Sequence, residues 1–170
     1  MPSTYTLISS NVLSSSAASV TFSAIPSTYT DLVLRYSVRM SPSQAQDTFT
    51  IGTNITGSVY SAIRLRGNGA AASSAVAQSG ATSMVSGLTN CATSTADTFT
   101  NAEMYIPSYL SSANKPISQI TSMENNTTTA YIDAHAHLIG SSTAINSITF
   151  TASGDFVSGS SFYLYGIKNS

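Results

Sequence analysis

At 170 residues the chain is expected to fold as one domain, residues 1–170, long enough to bury a core without covalent staples. Its single cysteine, Cys91, excludes an intrachain disulfide, and six Lys and Arg spread along a chain of net charge -1 leave no basic run for a nucleic-acid partner. Charged residues are 8% of the chain, whereas Ser and Thr are roughly a third of it, so copies of this surface repel each other weakly.

The first short strand expected is Thr4 to Ser9, closed by Asn11 and the serines at 14 to 16. The clearest pattern follows, from Ala17 to Met40. Ala18, Val20 and Phe22 alternate with Ser and Thr. After a turn at Pro26-Ser27-Thr28, Leu32, Leu34, Tyr36, Val38 and Met40 alternate with Val33, Arg35, Ser37 and Arg39. A period of two is that of a half-buried strand, and it points Arg35 and Arg39 away from the core. Asp47 to Gly52 and Val59 to Arg66 read as the next strands. In the second of these, Val59, Ser61, Ile63 and Leu65 share one face, and Tyr60, Ala62, Arg64 and Arg66 share the other.

Gly67-Asn68-Gly69 is a turn; it does not cradle phosphate, because no Lys-Ser or Lys-Thr follows it. From Ala70 to Ser79 the composition falls to Ala, Ser and Gln, and Ala75 to Leu88 reads as an edge strand rather than a helix because Ser, Thr and Gly crowd it. Strands are then expected over Thr98 to Ile106, Ile117 to Glu124, Thr129 to Ile139, Ile145 to Thr151 and Phe162 to Ile167, with Asn125-Asn126 as a turn. About eight to ten short strands with little or no helix predict an all-β fold, an antiparallel β-sandwich of jelly-roll type.

Few residues suggest chemistry. In a strand, Asp133, His135 and His137 fall on one face, and two imidazoles two residues apart can share a metal. A third ligand cannot be named, so a plain polar strand face is the preferred reading of His135 and His137. Asp133 and His135 sit too far apart along a strand for a hydrolase triad, and no pair among the seven acids suggests a glycosidase. Cys91 has no activating neighbour. Asn54-Ile55-Thr56 and Asn125-Asn126-Thr127 match the glycosylation pattern and read as turns. Arg64 and Arg66 beside Arg35 and Arg39 would form a basic stripe, with solvated surface arginines as the alternative. No cofactor is expected.

The start Met1-Pro2-Ser3 shows no secretion signal, and no apolar run is long enough for a membrane span. An extracellular type of composition without an export signal suits a virus particle, which leaves its host by lysis.

Several blocks in order resemble a family of virion structural proteins of tailed bacteriophages, notably those of marine and freshwater bacteria including cyanobacteria. They are STYTLIS (3 to 9), the stretch from Ala17 to Arg35, TNITGSVYS (53 to 61), LRGNG (65 to 69), EMYIPSY (103 to 109), ENNTTTAY (124 to 131) and FYLYGIKNS (162 to 170). The 70 to 77 run and the Asp133 to His137 strand depart from the resemblance. It implies no enzymatic residues. It implies a β-sandwich on the particle surface, either a capsid decoration protein or part of a tail fibre that recognises a host glycan. The expected partner is the major capsid protein or another virion protein, with the chain forming a homo-oligomer, a trimer, and contacting neither nucleic acid nor membrane. Tyr5, Tyr29, Tyr60, Tyr105 and Tyr109 are the candidate interface anchors, because tyrosine joins apolar area to a polar tip; core or rim packing is the alternative for each.

Overall fold

The computed structural model describes residues 4–124 and 129–168. Strands run β1 (Tyr5–Val12), β2 (Ala17–Phe22), β3 (Asp31–Val38), β4 (Gln46–Asp47), β5 (Thr50–Thr53), β6 (Tyr60–Gly67), β7 (Ala72–Ala81), β8 (Met84–Val85), β9 (Thr89–Asn90), β10 (Thr100–Ile106), β11 (Lys115–Glu124), β12 (Ala130–Ile139), β13 (Ile148–Phe156) and β14 (Ser161–Ile167). No helix occurs among the described residues, none therefore being long and apolar enough to cross a membrane. The turn expected at Asn125-Asn126 and the glycosylation pattern there lie outside the described residues.

Eight strands form one antiparallel sheet in the order β1-β14-β3-β10-β11-β12-β6-β7. Four form a second, β2-β13-β5-β8, and β4 pairs with β9. The all-β, sandwich-like class expected from the alternation is the one adopted. A jelly roll would set two Greek-key sheets of comparable size against each other; here eight strands face four. The pair flanking Pro26 divides between the sheets, β2 at an edge of the smaller and β3 near the middle of the larger.

Alternation explains the core. Leu32, Leu34, Tyr36 and Val38 of β3 point inward with Phe162 and Leu164 of β14 and with Ala102, Met104 and Ile106 of β10. They meet Phe22, Phe49, Phe150 and Phe156 from the smaller sheet and its approaches. The sheets are locked by edge-on rings, Tyr36 to Phe150 at 5.6 Å and Phe156 to Phe162 at 5.1 Å. Such pairs each add about 1 kcal/mol beyond the area they bury.

The smaller sheet does not cover the whole of the larger one's inner face. Toward β12 and β6 the cover comes from the 84 to 91 segment, which leaves the smaller sheet after β8 and whose backbone lies so close to β11 that a Cβ on Gly87 would stand 2.5 Å from Thr121 Oγ1. Beneath that segment the inner face is polar.

Of the two arginines expected to point away from the core, Arg35 reaches solvent and Arg39 does not. Arg39 does point to the side opposite Met40, but it is buried. Its guanidinium donates to the carbonyls of Thr95 (2.7 Å), Thr98 (3.0 Å), Ser94 (3.1 Å) and Ala92 (3.3 Å), so a loop distant in sequence wraps it. Lys115 is likewise buried, donating to the carbonyls of Ser111, Ala113 and Ser141, and burial lowers its pKa.

Candidate functional site

The register of the large sheet determines what its outer face carries. From β1 to β10 that face is aromatic and polar. Tyr5 and Tyr165 pack edge to face at 6.5 Å, Tyr163 and Tyr165 stack at 6.4 Å, and Arg35 lies 5.9 Å from the Tyr5 ring centroid and 6.0 Å from that of Tyr165. Arg35 also reaches Glu103 across the strands at 2.7 Å. Tyr105 donates its hydroxyl to Asp31 at 2.8 Å, and Asp31 also accepts from the Ser108 N–H, so this carboxylate is a structural anchor at the sheet end. The bond to Asp31 is the main reason the Tyr105 hydroxyl is held above its ordinary pKa.

From β11 to β7 the outer face is aliphatic. Cross-strand partners place Ile120 beside Ala134, Ala134 beside Leu65, Ile63 between Ala136 and Val76, and Leu138 beside Ser61. Ile63, Leu65, Val76, Ile120, Ile132 and Leu138 are all exposed, by 39 to 72%. A shallow groove of about 500 Å³ runs over this end between Leu65, Gly67, Ala72 and Ile132.

Behind the aliphatic half lies its complement. β12 buries Asp133, His135 and His137 and leaves Ile132, Ala136 and Leu138 outside, so its polar alternate residues face in and most of its apolar ones face out. The plain polar strand face expected for His135 and His137 is thus a buried one. A network holds it there. Arg66 grips Asp133 through two bonds, 2.5 Å and 2.7 Å, and the Leu88 N–H donates to Asp133 at 2.9 Å. Burial alone would raise the Asp133 pKa, but the Arg66 bonds, the Leu88 N–H and the Arg66 charge outweigh it and leave the carboxyl below its usual range.

Gln119 donates to the Tyr36 hydroxyl (2.8 Å) and to Thr121 (3.1 Å), and its carbonyl oxygen lies 2.9 Å from His137 Nε2. His137 therefore carries its proton on Nε2, leaving Nδ1 as a bare acceptor. The Nδ1 atoms of His135 and His137 and the Nε of Arg64 are buried with no protein partner. Burial pushes His135 down to about 4, with Arg64 and Arg66 reinforcing and Asp133 opposing; burial and then His135 push His137 down to about 3. Both imidazoles are neutral at neutral pH.

The same geometry does not fit the shared metal considered for His135 and His137. Their rings are parallel within 6° at 5.3 Å, so their lone pairs run side by side instead of converging on one ion. The two arginines on the adjacent strand add positive charge, and among the described residues no three His, Cys, Asp or Glu gather as a ligand set.

Arg64 and Arg66, expected to share a basic stripe with Arg35 and Arg39, lie on the inner side of β6. Arg35 is on the outer face and Arg39 is wrapped by its loop, so the four are separated. The tyrosines also divide. Tyr60 is fully buried and ties Thr53 to the Ile55 carbonyl, and Tyr109 is fully buried with its hydroxyl donating to the Pro26 carbonyl, so both are core residues. Tyr29 is half-buried over Gly166. Tyr5 and Tyr105 remain on the outer face. Tyr163 and Tyr165 join them there, and the alternation Phe162-Tyr163-Leu164-Tyr165 already marks these two as outward.

Cys91 is buried, and burial, then Asp47, push its thiol up to about 11, which removes it as a nucleophile at neutral pH. Asn54 uses its side chain to tie Ala144 and Asn146 to its own turn, in keeping with the turn reading of that site. No family model matches this chain, and no curated protein or solved structure matches it either.

Proposed function

We propose that the chain is a structural component of a bacteriophage particle, a capsid decoration protein that binds the outer surface of the capsid and stabilises it by protein–protein contacts. The observation that carries this reading is the outer face of the eight-stranded sheet. It is broad, and in its strand interiors it bears one ion pair, Arg35 with Glu103, among tyrosines and aliphatic side chains. The aliphatic half of that face is a contiguous apolar patch of the kind that marks an interaction surface, and the tyrosines of the other half provide anchors of the kind that dominate protein interfaces. The phage assignment rests on the ordered sequence blocks that resemble virion proteins. Three carboxylates have structural roles: Asp133 binds Arg66, Asp31 holds Tyr105 and Ser108, and Glu103 binds Arg35.

The test is cosedimentation of the purified chain with capsids that lack it. Binding that saturates and is weakened by Tyr5→Ala with Tyr165→Ala supports the reading, and absence of binding contradicts it.

A second reading, a tail-fibre module that recognises a host surface glycan, is favoured by one feature of the same face. Stacked Tyr163 and Tyr165 lie beside Arg35, Asn101 and Glu103, an aromatic platform with amide and charged groups around it. Glycan-array binding lost on Tyr163→Ala would favour this reading over the first.

A further inference from the structure

The aliphatic half of the outer face presents a problem that the folded monomer does not solve. Over residues 63 to 66 of β6 and 132 to 138 of β12 the apolar residues are on the wet side of the sheet while charge and imidazole are on the dry side. A slip of one residue would exchange the faces. The register is instead fixed by the Arg66 and Asp133 pair and by the Leu88 N–H, which hold the polar residues inward. Six large aliphatic side chains are left between 39 and 72% exposed as one group. At about half of each side chain, their area is on the order of 500 Å², the upper end for the largest apolar patch on an ordinary monomer. With the small residues between them the face approaches the roughly 800 Å² per partner of a stable complex.

We propose that this half of the face, centred on Ile63, Leu65, Val76, Ile120, Ile132 and Leu138, packs against the same half of a second copy of this chain across a two-fold axis.

Charge selects the occupant. Between the six aliphatic residues the outward positions of β11, β12, β6 and β7 are Pro, Ser, Ala and Gly, and the outward charge that borders them, Glu103 beside Ile120, is already paired with Arg35. An identical patch meets it without stranding a charge, whereas a nucleic acid or an acidic protein would find no cation there, Arg64 and Arg66 being on the opposite side of the sheet. The chain's net charge of -1 adds little repulsion between copies. A patch that meets its own kind gives an isologous contact, and such a contact closes as a dimer. Face packing is the arrangement required, because pairing at the open edge of β7 would lengthen the sheet and leave the aliphatic residues in water.

This proposal stands on the inverted polarity of the sheet, puts a two-fold pair in place of the trimer expected from the sequence, and goes beyond the virion role, which it does not need. Analytical ultracentrifugation from high micromolar to nanomolar concentration tests it, with Ile63→Lys and Leu138→Glu as separate variants and Tyr5→Ala as a control on the aromatic half. Both substituted aliphatic positions are exposed in the monomer, so circular dichroism should show unchanged strand content. The expected result is a reversible dimer whose dissociation constant rises by about a hundredfold in each charged variant and stays unchanged in the control. A monomer at every concentration, a trimer, or a dimer indifferent to both charges overturns the proposal. So does a monomer that pellets with phosphatidylcholine vesicles, which would make the face a lipid contact. A monomer that still binds capsids would remove the dimer and leave the virion role standing.

Discussion

His135 and His137 lie with their rings parallel, centroids 5.3 Å apart, on the buried side of a strand whose exposed side is aliphatic. Packed beside Arg64, Arg66, Asp133 and Gln119, they are neutral, with folded values of about 4 and about 3 against 6.5 in an unfolded chain. Between those values the unfolded chain binds protons that the folded chain does not. Their contribution to stability is therefore complete above about pH 6.5 and is lost as the pH falls through the window toward 4. Lowering the pH from about 7.5 to about 4.5 should cost on the order of 2 kcal/mol per histidine. Urea unfolding across that range should show the slope, and the double variant His135→Gln with His137→Gln should flatten it. An unchanged slope would mean that the imidazoles are not buried as described.

Two ion pairs of the large sheet, Arg66 with Asp133 and Arg35 with Glu103, should differ sharply in what they contribute. Asp133→Asn leaves the largely buried Arg66 guanidinium without its counter-charge and should destabilise the fold by about 3 kcal/mol. Arg35→Ala breaks a pair whose side chains are 55% and 50% exposed, and should move stability by no more than about 0.5 kcal/mol. Chemical denaturation of the two variants side by side checks the contrast.

Arg39→Met removes the donors that four carbonyls of the 92 to 98 loop share. The expected loss is about 2 to 4 kcal/mol, since buried acceptors are left unsatisfied. Hydrogen exchange should show it locally, with amides of that loop losing protection before those of β3. Uniform loss across the sheet would contradict the caging role.

Gly166 faces the Tyr29 ring so closely that a Cβ built on it would stand 2.3 Å from Cγ. Gly166→Ala should thus cost about 1 to 3 kcal/mol through displacement of Tyr29. Because the clash is with that one ring, adding Tyr29→Ala should make the second substitution nearly neutral in a double-mutant cycle. Additive effects would show that the strain lies elsewhere.

Most strand positions were legible because a two-residue period needs no knowledge of partners. β3, β10, β11 and β14 fall within a few residues of where alternation puts them. The side that each strand buries was less legible. Alternation groups Asp133, His135 and His137 correctly, but hydrophobicity assigns that group to the surface. What turns it inward is Arg66 on a neighbouring strand and an N–H on the 84 to 91 segment, neither local to β12. Arg39 escaped for the same reason, its loop being more than fifty residues away along the chain. The tyrosines were a matter of parity. Tyr60 shares a face with Arg64 and Arg66, so parity alone puts it outside and only the inward turn of that face makes it core, whereas Tyr163 and Tyr165 alternate with Phe162 and Leu164, which marks them as outward.

The most direct test of the account is an image of the assembled phage particle at a resolution that places side chains. Density for this chain is expected on the capsid exterior, with Tyr5 and Tyr165 seated on another protein and Ile63, Leu65 and Ile132 shielded from solvent. Finding no copy of the chain in the particle, or finding it there with that whole face open to solvent, would contradict the account.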